Sequence, residues 1–237
     1  MTRSPDDQIT GFERLFVWLG GALFVASIAA GAYCFLVRWS NAAGLVHARR
    51  RSLVADALLF GVFAVHHSLF AREGVKHRLA TLVPQRLLRS LYVWSASVLF
   101  LLVCAVWRPL GGDVYWVSGW RATGHACVQL AGIWLIAYSL RTIDPLELAG
   151  IRGSSLSDTL QISGPYRWVR HPLYLGWLLA VFGAAHMTGD RLAFAAISSI
   201  YLFVAVPWEE RSLVRTFGEP YEGYKRRVRW RIVPYVY

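Results

Sequence analysis

Charge is scarce in this sequence. Only 16% of the 237 residues are Asp, Glu, Lys or Arg, whereas 56% are hydrophobic, and the mean hydropathy is +0.40. A water-soluble domain usually carries about 25% charged residues and about 45–50% apolar ones. The composition therefore excludes a disordered chain and an ordinary soluble enzyme, and it favours an integral membrane protein.

Cysteine is also scarce, and the three cysteines form no motif. Cys34, Cys104 and Cys127 each lie in or beside an apolar run, without a CxxC pair or a Cys/His cluster. We expect small buried hydrophobic side chains, with no disulfide framework and no metal site. We also expect no signal peptide, because the first apolar run, from about residue 15, is too long for the apolar part of one.

Long apolar runs are abundant. A membrane-spanning helix needs about 20 mostly apolar residues. Six candidate segments cover residues 15–37, 53–70, 91–107, 123–140, 172–187 and 192–208. The second is weakened by Asp56 and the adjacent His66 and His67, so we count five to six spans. The pattern predicts an all-α, polytopic membrane helical bundle, in one domain covering residues 1–237.

The last two segments predict a tight antiparallel helical hairpin, because only residues 188–191 separate them. Within this hairpin, Gly176, Ala180 and Ala184 recur every four residues. Such a face of small side chains allows two helices to approach closely. The sequence does not predict an oligomeric state, since this face can pack within one chain or between two.

The basic residues indicate the orientation. With six spans, 18 of the 25 Lys and Arg residues fall in segments on one side and seven on the other. Lys and Arg collect in cytoplasmic loops, so we expect both termini in the cytoplasm and the protein in a bacterial inner membrane. Arg49–Arg51 is an exception: either the rule is locally violated or one of the first two segments does not span cleanly. The basic and aromatic residues 224–231 are interpreted as contacting anionic headgroups of membrane lipids, not nucleic acid.

Two polar clusters interrupt the apolar pattern, at residues 164–176 and 209–224. Residues 172–188 and residues 192–208 are 17 residues each, so each arm of the hairpin would rise about 26 Å at 1.5 Å per residue. The hairpin would therefore return Glu209 and Glu210 to the depth of Arg170 and His171. We expect both clusters to form one site at the cytoplasmic membrane surface.

The chemistry of these clusters predicts a ligand with charges of both signs. Pro172 suits the first position of a helix, whose free amides and dipole favour an anion. Arg167 and Arg170 add positive charge, while Glu209 and Glu210 suit a cationic or hydroxylated group. An amino acid or an adenosyl cofactor would match. The alternative is an interfacial salt bridge between Arg170 and Glu209, with the tyrosines as membrane anchors.

The pattern G-P-Y-R-x-x-R-H-P-x-Y-x-G, followed by a hydrophobic hairpin and by E-E with F-G-x-x-Y-x-x-Y, resembles the membrane methyltransferases. These include the isoprenylcysteine carboxyl methyltransferases and the phospholipid N-methyltransferases. The resemblance implies S-adenosylmethionine as the methyl donor, bound within the C-terminal part, residues 141–237. It implies a cofactor site formed by Arg170, His171, Pro172, Tyr174, Gly176, Glu209 and Glu210, with Tyr221 and Tyr224 as additions.

Three segments of the N-terminal half carry a narrower pattern: H-S-L-F-A-R from His67, R-S-L-Y-V from Arg89 and W-R-P from Trp107. With them, this half resembles the bacterial methanethiol S-methyltransferases and their NnrU-like relatives. His66 stands where a Gln is common, and the stretch between Arg152 and Gly164 is shorter than in that group. The acceptor therefore stays open, in the order small thiol, isoprenylcysteine carboxylate and lipid amine.

These residues predict a one-step transfer in which the protein positions and desolvates the reactants. The expected catalytic residues are Arg170, His67 and Glu210. A thiol must react as its thiolate, which the charge of Arg170 or a base such as His67 would favour. A carboxylate acceptor would need only an arginine.

Two further classes remain open. The ending V-P-Y-V-Y, from Val233, is similar to the tail of NADPH-dependent sterol reductases, although the Glu209–Glu210 pair fits the methyltransferases better. A non-catalytic membrane protein of the NnrU-like type is the other alternative.

Overall fold

The computed structural model describes residues 10–41, 49–70, 72–141, 144–152 and 160–237. The chain divides into two compact units, which are described separately below. The first comprises the described residues of Met1–Cys34, Leu58–Trp107 and Ile143–Ser155. The second comprises those of Phe35–Ala57, Arg108–Thr142 and Leu156–Tyr237.

The described residues are mostly helical and include one short two-stranded ribbon. The helices are α1 (Gly11–Leu36), α2 (Arg49–Phe70), α3 (Glu73–Ala80), α4 (Gln85–Val106), α5 (Gly119–Ser139), α6 (Pro145–Leu148), α7 (Pro172–Phe182), α8 (Gly189–Phe217) and α9 (Glu219–Arg227). Strands β1 (Asp113–Trp116) and β2 (His186–Thr188) pair antiparallel. Short 3-10 turns occupy Arg38–Ser40 and Gly164–Arg167.

Four of the described helices are long and apolar enough to cross a membrane by length and composition. They are Gly11–Ser40, Arg50–Phe70, Gln85–Val106 and Gly189–Phe217. These correspond to the first, second, third and sixth predicted segments, and the chain is an all-α membrane protein. The fourth and fifth segments form α5, of 21 residues, and α7, of 11 residues.

The predicted hairpin turn is wrong in its details. The helix expected over residues 172–187 ends at Phe182, and the chain continues into β2. Residues 188–191 are not a turn: Thr188 is the N-cap of α8, and its Oγ1 accepts a hydrogen bond from the Arg191 amide at 3.3 Å. A threonine cap satisfies an amide that the helix itself leaves unpaired, so α8 begins earlier than hydropathy indicated.

The two arms nevertheless return the chain to one depth. Helix α7 rises about 16 Å, and the six residues after it add as much as about 20 Å when extended. Helix α8 rises about 33 Å from its start to Glu210. The rise of the short helix α7 plus the extended chain after it is therefore close to the rise of the longer helix α8 up to Glu210. Gly218, with φ of +58°, ends α8 in the left-handed region that favours glycine.

Helices α5 and α7 of the second unit pack in close contact along small residues. A Cβ atom on Gly176 would lie 2.8 Å from the Gly132 carbonyl oxygen, and one on Gly132 would lie 2.5 Å from the Ala180 nitrogen. The Gln129 side chain donates to the Ala180 carbonyl at 2.9 Å. The expected small-residue face is thus confirmed at Gly176 and Ala180, whereas Ala184 lies beyond the end of α7.

Buried polar side chains fix the start of α8 within the second unit. Asp190 accepts from the amides of Leu110 at 2.9 Å and Gly111 at 3.0 Å. Arg191 donates to the carbonyls of Phe35 at 2.7 Å and Leu36 at 2.8 Å. These carbonyls belong to the last turn of α1, where helical partners are missing. A buried cation therefore caps α1.

The first unit is joined by contacts from α4. The Trp94 indole donates to the Phe16 carbonyl at 2.9 Å, and Arg89 Nε donates to the Glu147 carbonyl at 3.1 Å. Asp144 caps α6 by accepting from the Leu146 amide at 2.9 Å. The Trp94 bond therefore joins α4 to α1, and the Arg89 bond joins α4 to the segment around α6.

The three cysteines are free thiols. Cys34 and Cys104 are buried, as expected, but Cys127 on α5 is exposed. The prediction for Cys127 was wrong because an apolar run does not tell which side of a helix packs against its neighbours.

Candidate functional site

The site is built around a buried ion pair between Arg170, just before α7, and Glu210, within α8. Arg170 Nε lies 2.6 Å from Glu210 Oε1, and both side chains are only 6% exposed. Arg170 Nη1 also donates to the carbonyls of Val228 at 2.7 Å and Arg229 at 2.8 Å. Buried charges need partners of this kind, so Arg170 holds Glu210 in a fixed position.

The segment after α9 runs alongside the residues that precede α7. The Arg170 amide donates to the Trp230 carbonyl at 2.9 Å, and the His171 amide donates to the Arg231 carbonyl at 2.8 Å. Sequence reasoning missed this pairing and interpreted the basic segment as a headgroup contact. The sequence signal was weak: apolar and basic residues alternate over residues 228–232, and the structure buries Val228 and Ile232 while Arg229 is exposed.

The neighbouring residues Glu209 and Glu210 have different surroundings. The His171 Nε2 atom lies 3.4 Å from Glu210 Oε1, and His171 Nδ1 lies 3.7 Å from Glu209 Oε2. Glu209 is 43% exposed and accepts from the Tyr174 hydroxyl at 2.6 Å. The His171 and Tyr174 rings stack with centroids 5.3 Å apart and an interplanar angle of 9°. Glu210 is thus a buried anchor, and Glu209 is an accessible carboxylate.

A cleft of about 440 Å³ opens beside Glu210 in this unit. Its walls are Pro207, Glu210, Arg211, Val214, Arg215, Glu222, Lys225 and Arg231. Arg231 Nε lies 3.3 Å from Glu210 Oε2, opposite the oxygen that pairs with Arg170. The cleft therefore presents carboxylates and cations side by side over a short apolar wall, which suits a ligand carrying both charges.

Tyr221 and Tyr224 form a buried cluster with Val228. The Tyr224 hydroxyl donates to the Tyr166 carbonyl at 2.7 Å and so joins α9 to the 3-10 turn before α7. The buried Tyr221 hydroxyl has no hydrogen-bond partner among the described residues. Burial raises the pKa of Tyr221 and of Tyr224, so both phenols stay neutral.

The remaining predicted residues of this unit have positions that fit packing. Pro172 is the first residue of α7 and is fully buried. Gly176 lies against the backbone of α5, as described above. The second unit therefore brings together Arg170, His171, Tyr174, Glu209 and Glu210, whereas Gly176 faces a neighbouring helix.

His67 belongs to the first unit, where it lies in an aromatic cluster on α2 and α4. The Tyr92 hydroxyl lies 2.7 Å from His67 Nδ1, and the Phe63 ring centroid lies 5.8 Å from that of His67. Both ring nitrogens of the adjacent His66 are buried, with no hydrogen-bond partner in the described part of the chain. Tyr92 was not singled out from the sequence, and it orients the His67 ring.

Comparison with known proteins gives matches over most of the chain. A sequence model of the phospholipid methyltransferase family matches residues 120–220. Methanethiol S-methyltransferase 2 of Bradyrhizobium diazoefficiens is 37% identical over 190 residues, which are 75% of this chain and 71% of the relative. Methanethiol S-methyltransferase of Crocosphaera subtropica is 34% identical over 194 residues, 78% of this chain and 76% of the relative.

A third relative, methanethiol S-methyltransferase of Mycobacterium tuberculosis, is 35% identical over 190 residues, 75% of this chain and 77% of the relative. No solved structure matches the chain. The similarity thus extends well beyond the segment that the family model matches.

Proposed function

The chain belongs to the methanethiol S-methyltransferase family of membrane methyltransferases, and on this premise we propose that it transfers a methyl group from S-adenosylmethionine to a small thiol. The observation that carries the proposal is the buried Arg170–Glu210 pair beside a cleft of mixed charge. The family supports methyl transfer over reduction with NADPH. Isoprenylcysteine carboxylate and lipid amine remain the alternative acceptors.

The chemistry of the cleft fits this donor. S-adenosylmethionine carries an ammonium group, a carboxylate, ribose hydroxyls and an aromatic base, and when bound it supplies a sulfonium methyl group that is already electrophilic. Glu209 and Glu210 would hold the cationic and hydroxylated parts. Beyond the residues that line the cleft, the Tyr221 hydroxyl, which has no partner among the described residues, would find one, and the stacked His171 and Tyr174 rings offer an aromatic surface.

Each protein group has a proposed role. Arg170 acts through Glu210, because its guanidinium is already bonded to that carboxylate and to two backbone carbonyls. Glu210 binds the donor. His67, oriented by Tyr92, takes the proton of the thiol, because only the thiolate is a strong nucleophile.

The proposed membrane arrangement keeps six spans. The four long apolar helices cross the bilayer, and α5 and α7 pack together as two further spans, completed by the extended residues after α7. Both termini and the cleft would face the cytoplasm of a bacterial inner membrane, so a volatile or lipid-soluble acceptor enters from the bilayer. Reporter fusions at the C-terminus that register a periplasmic location would contradict this orientation.

A labelled-methyl assay tests the function. The purified protein in lipid nanodiscs is incubated with S-adenosylmethionine carrying a labelled methyl group and, separately, with a small thiol, an isoprenylcysteine and a phospholipid amine. We expect a volatile labelled thioether with the thiol and no product with the other two. Binding of S-adenosylhomocysteine and of NADPH is measured on the same sample. Binding of NADPH alone would overturn the proposal.

A further inference from the structure

We propose that the Arg231 side chain binds the carboxylate of the methyl donor's amino-acid group. This inference rests on the proposed function and identifies a binding residue outside the motif that pointed to the site. Arg231 lines the cleft, and its backbone carbonyl accepts from the His171 amide at 2.8 Å, so it is anchored to the residues just before α7.

The Arg231 guanidinium is held in place, but some of its N–H donors have no partner among the described residues. Nε lies 3.3 Å from Glu210 Oε2, Nη1 donates to the Tyr237 hydroxyl at 2.9 Å, and the guanidinium carbon lies 5.0 Å from the Tyr237 ring centroid. Among the described residues Nη2 has no hydrogen-bond partner, and the side chain is 36% exposed. An arginine has five N–H donors in a rigid fork, which suits a carboxylate. Arg231 therefore presents oriented donors at the edge of the cleft.

The other cations of the cleft are less suitable. Lys225 pairs with Glu222 at 3.2 Å, and Arg211 lies over the Trp208 ring at 5.8 Å. Arg170 is buried and is bonded to Glu210 and to two carbonyls. Arg215 lies five residues beyond Glu210 on α8 and has no described contact with that carboxylate. Among the described residues that line the cleft, only Arg231 pairs with Glu210 Oε2, the oxygen that Arg170 does not contact.

An amino-acid group carries its ammonium and its carboxylate only a few bonds apart. Glu210 and Arg231 place an anion and a cation 3.3 Å apart, which is the complementary arrangement. The ammonium would lie against Glu210 Oε2, and the carboxylate would lie against the Arg231 fork. Charge-assisted hydrogen bonds of this kind are the strong ones in ligand recognition.

A comparison of two ligands isolates this contact. S-adenosylmethionine and its decarboxylated form differ only in the carboxylate, and their affinities are measured calorimetrically for the wild type, Arg231→Gln, Arg231→Lys and the control Arg229→Gln. Arg229 is an exposed arginine two residues earlier, and substitution keeps its carbonyl bond to Arg170. We expect the wild type and the control to prefer the carboxylated ligand by about 10- to 100-fold.

Arg231→Gln should abolish this preference while binding the decarboxylated ligand like the wild type, and Arg231→Lys should keep part of it. Unchanged binding of the decarboxylated ligand also shows that the cleft is intact. The proposal is overturned if the wild type does not discriminate, or if Arg231→Gln weakens both ligands equally. A wild type that binds neither ligand would overturn the proposed function itself, which is a separate result.

Discussion

Arg170 and Glu210 are 40 positions apart in the chain, yet their side chains form a buried ion pair with 2.6 Å between Nε and Oε1. The pair joins Arg170, two residues before α7, to the second half of α8, and Arg170 also donates to the carbonyls of Val228 and Arg229. Three separate segments of the second unit therefore meet at one carboxylate. The integrity of this unit and the binding of its ligand should depend on the same contact.

Glu210→Gln should destabilise the second unit and abolish binding of the methyl donor. The substitution keeps the shape of the side chain but leaves Arg170 buried without its counter-charge, a change that costs about 3–5 kcal/mol in folded proteins. Glu209→Gln is the matched control for stability, because that side chain is 43% exposed and its amide oxygen can still accept from the Tyr174 hydroxyl. Thermal unfolding in detergent measures stability for both variants, and donor affinity is measured for Glu210→Gln. An equal loss of thermal stability in the two variants would contradict the difference in their surroundings.

Tyr224→Phe and Tyr221→Phe should behave differently. Loss of the Tyr224 hydroxyl removes its bond to the Tyr166 carbonyl, with an expected cost of about 1 kcal/mol in the free energy of unfolding. The Tyr221 hydroxyl has no described partner, so its removal should leave that free energy unchanged or raise it. If the hydroxyl contacts the donor, Tyr221→Phe should instead weaken donor binding. Chemical unfolding and calorimetry distinguish the two roles.

The same two tyrosines predict loss of stability at alkaline pH. Burial raises the pKa of each phenol above its ordinary value, so the folded state favours the neutral form. Their contribution is fully present below the unfolded pKa of about 10 and is lost as the pH rises through the higher folded pKa. The midpoint of thermal unfolding should therefore fall more steeply above about pH 10 in the wild type than in the double variant Tyr221→Phe/Tyr224→Phe. Parallel curves would show that other groups govern alkaline unfolding.

His67→Gln should slow methyl transfer to a thiol without changing donor affinity. If His67 takes the thiol proton, the rate loss should shrink as the pH approaches the pKa of the thiol, where the thiolate forms without a base. Tyr92→Phe keeps the ring but removes the hydroxyl that lies 2.7 Å from His67 Nδ1. This variant should lose less of the methyl-transfer rate than His67→Gln, and the loss should depend on pH in the same way. A rate loss that is constant across the pH range would assign His67 to packing alone.

Hydropathy and local sequence predicted much of the fold because the long apolar helices are set by composition. They failed at the end of α7, where the boundary depends on the Thr188 cap of α8 and on pairing between β1 and β2. The approach of Glu210 to Arg170 was predictable, since two arms of similar rise return the chain to the same depth. The position of Arg231 was not predictable, because its contact with Glu210 depends on how the segment after α9 folds back.

Gly176 provides the last test, because the family resemblance assigns it to the cofactor whereas its neighbours are helix backbone. A Cβ atom at this position would lie 2.8 Å from the Gly132 carbonyl oxygen, so Gly176→Ala should push α5 and α7 apart and cost about 1–3 kcal/mol. Gly124→Ala on α5 is the matched control: a Cβ there meets nothing within 4 Å, and alanine favours a helix by about 1 kcal/mol. Thermal unfolding should therefore shift in opposite directions for the two variants. If Gly176→Ala unfolds like the wild type but binds the donor more weakly, the glycine contacts the ligand and not the neighbouring helix.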